Sequence, residues 1–153
     1  MPTPRRAICI FCDDIRQEIS NKISIIGMYH GDMIFLAAPP ILVPKLFLLV
    51  SIISDPDDTP KKLTTTILAP DKTEIYRTTL EEIGEYRHIE GSVTAQLRTW
   101  FPLPPFVAAN PGAIEVWAET ESEKLRAGRL FVSFQPPEQQ TIDVKDDKQA
   151  KAS

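Results

Sequence analysis

Cys9-Ile10-Phe11-Cys12 has the CxxC spacing that elsewhere holds zinc or exchanges disulfides. Its surroundings are β-prone, however, and residues three apart in a strand face opposite sides of a sheet. Two such thiols cannot easily share one metal. Redox pairs stand at a helix start, where the dipole lowers a thiol pKa, and no helix follows here. Zinc would also need His30 and His88, which nothing local brings to the cysteines. Cys9 and Cys12 are expected as buried or edge thiols, with a cysteine–histidine enzyme as the third functional reading.

Asp55-Pro56-Asp57-Asp58 offers a second chemistry. Some β-sandwich modules bind calcium with carboxylates on the loops at one end, so Asp55, Asp57 and Asp58 are the metal candidates. Asp13-Asp14 and Asp71 are the other acids of interest. Successive turns alternate between the ends of an up-and-down sheet, which separates Asp71 from Asp55–Asp58. Aspartate also builds turns through its own side chain, and solvated turn residues are the plainer reading.

The chain has no Gly-x-Ser-x-Gly elbow, phosphate-cradling glycine loop or His-Glu-x-x-His. No catalytic residue and no cofactor are assigned. Aromatic residues remain. Trp117 alternates out of phase with Ile114, Val116 and Ala118, and Trp100 opposes Leu97 and Phe101, so both should point away from the core. With Tyr29 and Phe106 they are the candidate partner-binding residues, because outward aromatics are enriched at interfaces. Pro102-Leu103-Pro104-Pro105-Phe106 matches a PxxP pattern, but its expected role is a loop spacer.

The elements that must position these residues are strands. Lys45 to Ile53 is apolar at both parities and bracketed by Pro44 and Asp55-Pro56, which marks a central strand. Ala7 to Phe11 precedes a hairpin from Ile15 to Met28, whose loop is expected at Ser20-Asn21-Lys22. Ile15, Ile19, Ile23 and Ile25 would then share a face. Met33–Leu36, Leu63–Ala69, Glu74–Leu80 and Ser92–Phe101 follow as strands, then a hairpin of Ala113–Glu119 and Leu125–Phe134. Ala37 to Pro44 reads as an extended connector, and Glu81 to Arg87 as a loop with at most one helical turn.

Composition agrees. Proline takes 14 of 153 positions, well above the average of about 5%, which suits loops and strand edges. Net charge is −4 and the basic residues are scattered, which argues against nucleic acid as the main partner. The adjacent pairs Arg5-Arg6 and Lys61-Lys62 read as solvated surface. No apolar run approaches the ~18 residues of a membrane span. Only six uncharged residues separate Arg6 from Asp13, too few for a secretory signal. A cytoplasmic setting with reduced cysteines is expected.

Phe11-Cys12-Asp13-Asp14-Ile15-Arg16-Gln17-Glu18, followed by Asn21-Lys22-Ile23-Ser24-Ile25-Ile26-Gly27-Met28-Tyr29, resembles the opening hairpin of a family of small bacterial proteins of unknown function. Val43-Pro44-Lys45-Leu46 and Gly128-Arg129-Leu130 fit the same family, so the resemblance spans about residues 8 to 134. It implies a bacterial or phage source and a stand-alone domain. It supplies no activity or catalytic residue.

Eight or nine short strands without a helix long enough to cover a sheet require a second sheet as cover. The expected fold is all-β, a two-layer antiparallel β-sandwich, immunoglobulin-like or C2-like. Residues 1–6 are expected as a flexible N-terminus, 7–135 as the domain and 136–153 as a flexible tail. The leading functional expectation is a non-enzymatic module that binds a protein or itself. A small-ligand or calcium-binding module is the alternative. One face of Lys45–Ile53 needs cover beyond the sandwich, by the Ala37–Pro44 connector, the Pro102–Phe106 loop or a second subunit.

Overall fold

Two facing sheets and a short ribbon make up the computed structural model, which describes residues 3–84 and 89–137. The strands are β1 (Arg6–Gln17), β2 (Ile23–Met28), β3 (Asp32–Phe35), β4 (Ile41–Val43), β5 (Phe47–Ser54), β6 (Leu63–Leu68), β7 (Glu74–Leu80), β8 (Ala95–Pro102), β9 (Phe106–Ala108), β10 (Gly112–Glu119) and β11 (Lys124–Phe134). The first sheet has the order β2-β1-β5-β8 and the second β3-β11-β10-β6-β7, while β4 and β9 form the ribbon. All pairs are antiparallel except β3 with β11. The expected all-β sandwich is therefore present.

Its interior follows strand alternation. Phe11 of β1 and Leu48, Val50 and Ile52 of β5 meet Leu63 and Ile67 of β6, Ile114 and Val116 of β10, and Leu130 and Val132 of β11. Burying one such aliphatic side chain is worth about 1.5–3 kcal/mol. The two layers approach closely at Cys9 and Gly128, where an added Cβ on residue 128 would stand 3.1 Å from that of Cys9. Ala127 is the extra residue of a bulge, since Val116 pairs with Gly128 but Trp117 with Arg126. Phe35 and Phe134 stack at 5.5 Å where β3 joins β11.

Eleven strands replace the expected eight or nine. The two that sequence reading missed, β4 and β9, lie in the proline-rich segments expected as connector and spacer. Prolines flank each three-residue run but do not enter it, which leaves its N–H groups able to pair. The ribbon closes the main core through Val43 and Ala108. Neither residue belongs to the apolar cluster on the outer face of β5, for which these segments are two of the three expected covers, a second subunit being the third.

That cover comes in part from the β1–β2 hairpin. Ile15 and Ile23 pack with Cys12, Leu49 and Phe47 in a second, smaller apolar cluster. The hairpin loop is shifted by one residue from expectation. Gln17 pairs with Ile23, and the N–H of Glu18 donates to the carbonyl of Lys22, so Ile19-Ser20-Asn21 form the turn. Ser20 and Asn21 supply the left-handed backbone, and Ile19 sits at the tip, 90% exposed rather than in the isoleucine face.

Candidate functional site

Strand register lays out the exposed face of the four-stranded sheet in rows. Ile10, Leu49 and Trp100 are consecutive partners across β1, β5 and β8. Ile8, Ser51 and Arg98 form the next row, and Arg6, Ile53 and Gln96 the one beyond. On the other side lie Met28, Cys12, Phe47 and Pro102. These residues point outward because Cys9, Phe11, Leu48, Val50, Leu97 and Phe101 point inward.

Leu49 is only 5% exposed, held between taller neighbours, whereas Ile8 is 47% and Trp100 38% exposed. Apolar surface thus crosses three strands without interruption. Its charged residues are mostly cations, with Asp14 beside Lys45. Arg6 and Arg98 are exposed and have no carboxylate partner among the described residues. Lys45 sits 5.1 Å from the centre of the Phe47 ring and donates to Asp14 at 3.1 Å. Lys45 and Arg16 hold the Asp14 carboxyl below its ordinary range, with Lys45 the larger cause.

The outer face of the five-stranded sheet has a different character. Two of its carboxylates are engaged, Glu115 with Lys72 and Glu74 with Arg77 at 2.8 Å, while Glu119 and Asp32 are exposed on the same face. Lys72 holds the Glu115 carboxyl low against the opposing effect of burial, helped by the Trp117 indole N–H at 3.0 Å. Lys124 stands over the Trp117 ring at 5.1 Å. Exposed apolar residues occur here at the β3 side, as Ile34 and Phe131, the latter under Arg129 at 5.5 Å.

The four aromatic candidates do not form one surface. Trp100 lies on the first face, on its edge strand β8. Trp117, also outward as expected, lies on the opposite side of the sandwich and is half-buried. Phe106 belongs to the ribbon and packs on the main core. Tyr29 packs there too and donates its hydroxyl to Asp13 at 3.0 Å. Sequence reasoning passed over Ile8, Ile10, Arg6 and Arg98. The available signal was the apolar run Ala7–Phe11, which like β5 is apolar at both parities.

Asp55, Asp57 and Asp58 build the β5–β6 connection. Asp55 accepts from the N–H of Asp57 at 3.0 Å. Asp58 pairs with Arg5 at 3.0 Å. Arg5, expected on the solvated surface, has a side chain only 4% exposed. It also meets Glu121 at 2.7 Å, Thr120 at 3.1 Å and Ser122 at 3.0 Å, and so ties the start of β1 to the β10–β11 turn. Among the described residues no three His, Cys, Asp or Glu side chains are grouped to hold a metal ion.

Cys9 faces the main core and Cys12 the smaller cluster, on opposite sides of β1 as their spacing requires. Burial is the main cause that pushes both thiols up from their ordinary pKa, Cys9 strongly. Neither has the lowered pKa of a nucleophile. His88 lies outside the described residues. An open groove of about 1120 Å³ lies between the β5–β6 loop and the start of β8. Lys61, Arg98, Glu81 and Glu82 all line it, a lining of mixed charge. Among the described residues no helix is long and apolar enough to cross a membrane.

The chain matches no curated protein. A family model, described as a family of unknown function (DUF6941), matches residues 7–133. With that match running from β1 to the last residues of β11, the chain belongs to this family.

Proposed function

We propose that the chain is a binding module that engages another protein through the outer face of β1, β5 and β8, with Trp100 as its aromatic anchor at the β8 side. The observation that carries this reading is the contrast between the two outer faces. One pairs Glu115 and Glu74 with its own Lys72 and Arg77, while the other joins exposed Ile8 and Trp100 to Arg6 and Arg98, which have no carboxylate partner among the described residues. Interface centres are depleted in charge except arginine and enriched in tryptophan.

Self-association through this face is the weaker form of the reading. A two-fold contact would set the same patch against itself and bring like charges together. Nucleic acid is disfavoured by the net charge of −4 and by the small number of unengaged cations. A cytoplasmic setting accords with two free cysteines on opposite faces of one strand.

A photo-crosslinking amino acid at position 100, expressed in the native host, tests the proposal against the same residue at position 117. Capture of a discrete protein from 100 and not from 117 is expected. Equal capture at both positions, or none at either, would sink it.

A further inference from the structure

The proposed docking face is graded along β5, and the class of partner that the gradient implies rests on the docking proposal itself. Near the C-terminal end of β5 stand Arg6 and Arg98, flanking Ile53 and Ser51. Arg98 donates to the Gln96 side-chain carbonyl at 3.0 Å, which leaves most of its guanidinium donors for a ligand. One row on, the surface turns apolar with Ile10, Leu49 and Trp100. At the far end the remaining cation, Lys45, is already held by Asp14. Charge demand and apolar surface are therefore separated, with the demand at one end.

We infer that this face receives an acidic segment of a partner protein, whose carboxylates meet Arg6 and Arg98 and whose apolar side chains settle over Ile8, Ile10 and Trp100. Arginine suits the role because its planar fork takes a carboxylate through two parallel hydrogen bonds. Arg6 and Arg98 lie two strands and one row apart, which places their Cα atoms about 12 Å from each other at ordinary strand spacing. Carboxylates four residues apart in an extended segment span a similar distance on one face. Apolar side chains a few residues further on reach the row of Trp100.

A second copy of the chain supplies such a segment poorly. On the outer face of its five-stranded sheet Glu115 and Glu74 are paired with Lys72 and Arg77, and Glu119 and Asp32 stand on different strands rather than in one extended run. A single-stranded nucleic acid would ask for a longer cationic track than two arginines beside one exposed tryptophan.

Fluorescent peptides of about a dozen residues test the inference on the full chain by anisotropy at low and moderate salt. One set carries two carboxylates followed by phenylalanine or leucine, a second replaces the acids by lysine, and a third replaces the apolar residues by serine. The first set should bind best, by about tenfold, and weaken as salt rises. Charge reversal at both arginines, Arg6→Glu with Arg98→Glu, should remove that binding and favour the lysine set, while melting shows the variant folded. Trp100→Ala should weaken all binding.

Equal binding of the acidic and basic sets, still lost in Trp100→Ala, would overturn the inference and leave the docking face intact. Binding indifferent to Trp100→Ala would overturn both. Tighter binding of an oligothymidylate than of any peptide would do the same.

Discussion

Gly27 and Asp13 face each other across the β1–β2 hairpin with no room for a methyl group between them. A Cβ on residue 27 would stand 2.7 Å from Cγ of Asp13, and the Gly27 backbone is left-handed at φ +65°. Asp13 is in turn fixed by the Tyr29 hydroxyl. Gly27→Ala should cost about 2–3 kcal/mol, from the collision and the backbone together. In urea unfolding, adding Asp13→Ala should recover the steric part and leave about 1 kcal/mol of backbone cost. No recovery would mean that the contact with Asp13 is not the cause.

Glu121 gives the domain an acid-sensitive link. Burial alone would raise its carboxyl, but the Lys61 N–H, its own N–H and the Arg5 guanidinium outweigh that and hold it at about 2, against an ordinary 4.5. A folded pKa below the unfolded one stabilises the fold above the unfolded value and loses that contribution as pH falls towards the folded one. Stability should therefore decline between about pH 4.5 and pH 2, and Glu121→Gln should flatten that decline in urea titrations. Arg5→Ala should cost about 2 kcal/mol near neutral pH, less than a fully buried pair because Asp58 and Glu121 are partly in solvent.

Ser54 ends β5 facing inward, and its hydroxyl is buried without a hydrogen-bond partner among the described residues. An unpaired buried hydroxyl carries a desolvation cost with nothing returned. Ser54→Ala should raise stability by about 1 kcal/mol. A lower melting temperature would show that the hydroxyl has a partner in solution.

The two thiols should react only through unfolding. Cys12 is fully buried, Cys9 is packed in the main core, and both are pushed up in pKa. Labelling by an aromatic disulfide should proceed at the opening rate for both, and mild oxidation should form no Cys9–Cys12 bond. Fast labelling of one thiol in the native state would reopen the enzyme reading.

Single-tryptophan proteins distinguish the two outer faces. With Trp117→Phe the remaining Trp100 should be readily quenched by acrylamide; with Trp100→Phe the remaining Trp117, under Lys124, should be quenched less. Trp117→Phe also loses the hydrogen bond to Glu115 and should cost about 1 kcal/mol, while Trp100→Phe should be near neutral. Matching quenching would contradict the placement of the two indoles.

Much of this arrangement is legible in the residues themselves. The doubly apolar run of β5 reads as a central strand and lies inside its sheet, and alternation alone turns Trp100 and Trp117 outward. The ribbon was hidden because three residues such as Ile41–Val43 carry no usable period among prolines. Arg5 beside Pro4 has the composition of a tail, and its partner Thr120 lies 115 residues away. The apolar row on the outer face of β1, β5 and β8 escaped for a related reason. It exists only once register sets Ile10, Leu49 and Trp100 side by side, and no single strand contains that row.

The buried guanidinium of Arg5 also bears on the order of events during synthesis. Its partners leave the ribosome in two instalments, Asp58 some 53 residues after it and Ser122 some 117 after it. Chains emerge at about 5–20 residues per second, so the first strand waits several seconds for the turn that fastens it. Until then Ile8 and Ile10 have β5 to pair with, at Ser51 and Leu49, but not the Arg5 contacts that reach the β10–β11 turn. The β10–β11 hairpin thus works as a latch, and the domain shuts when that hairpin arrives.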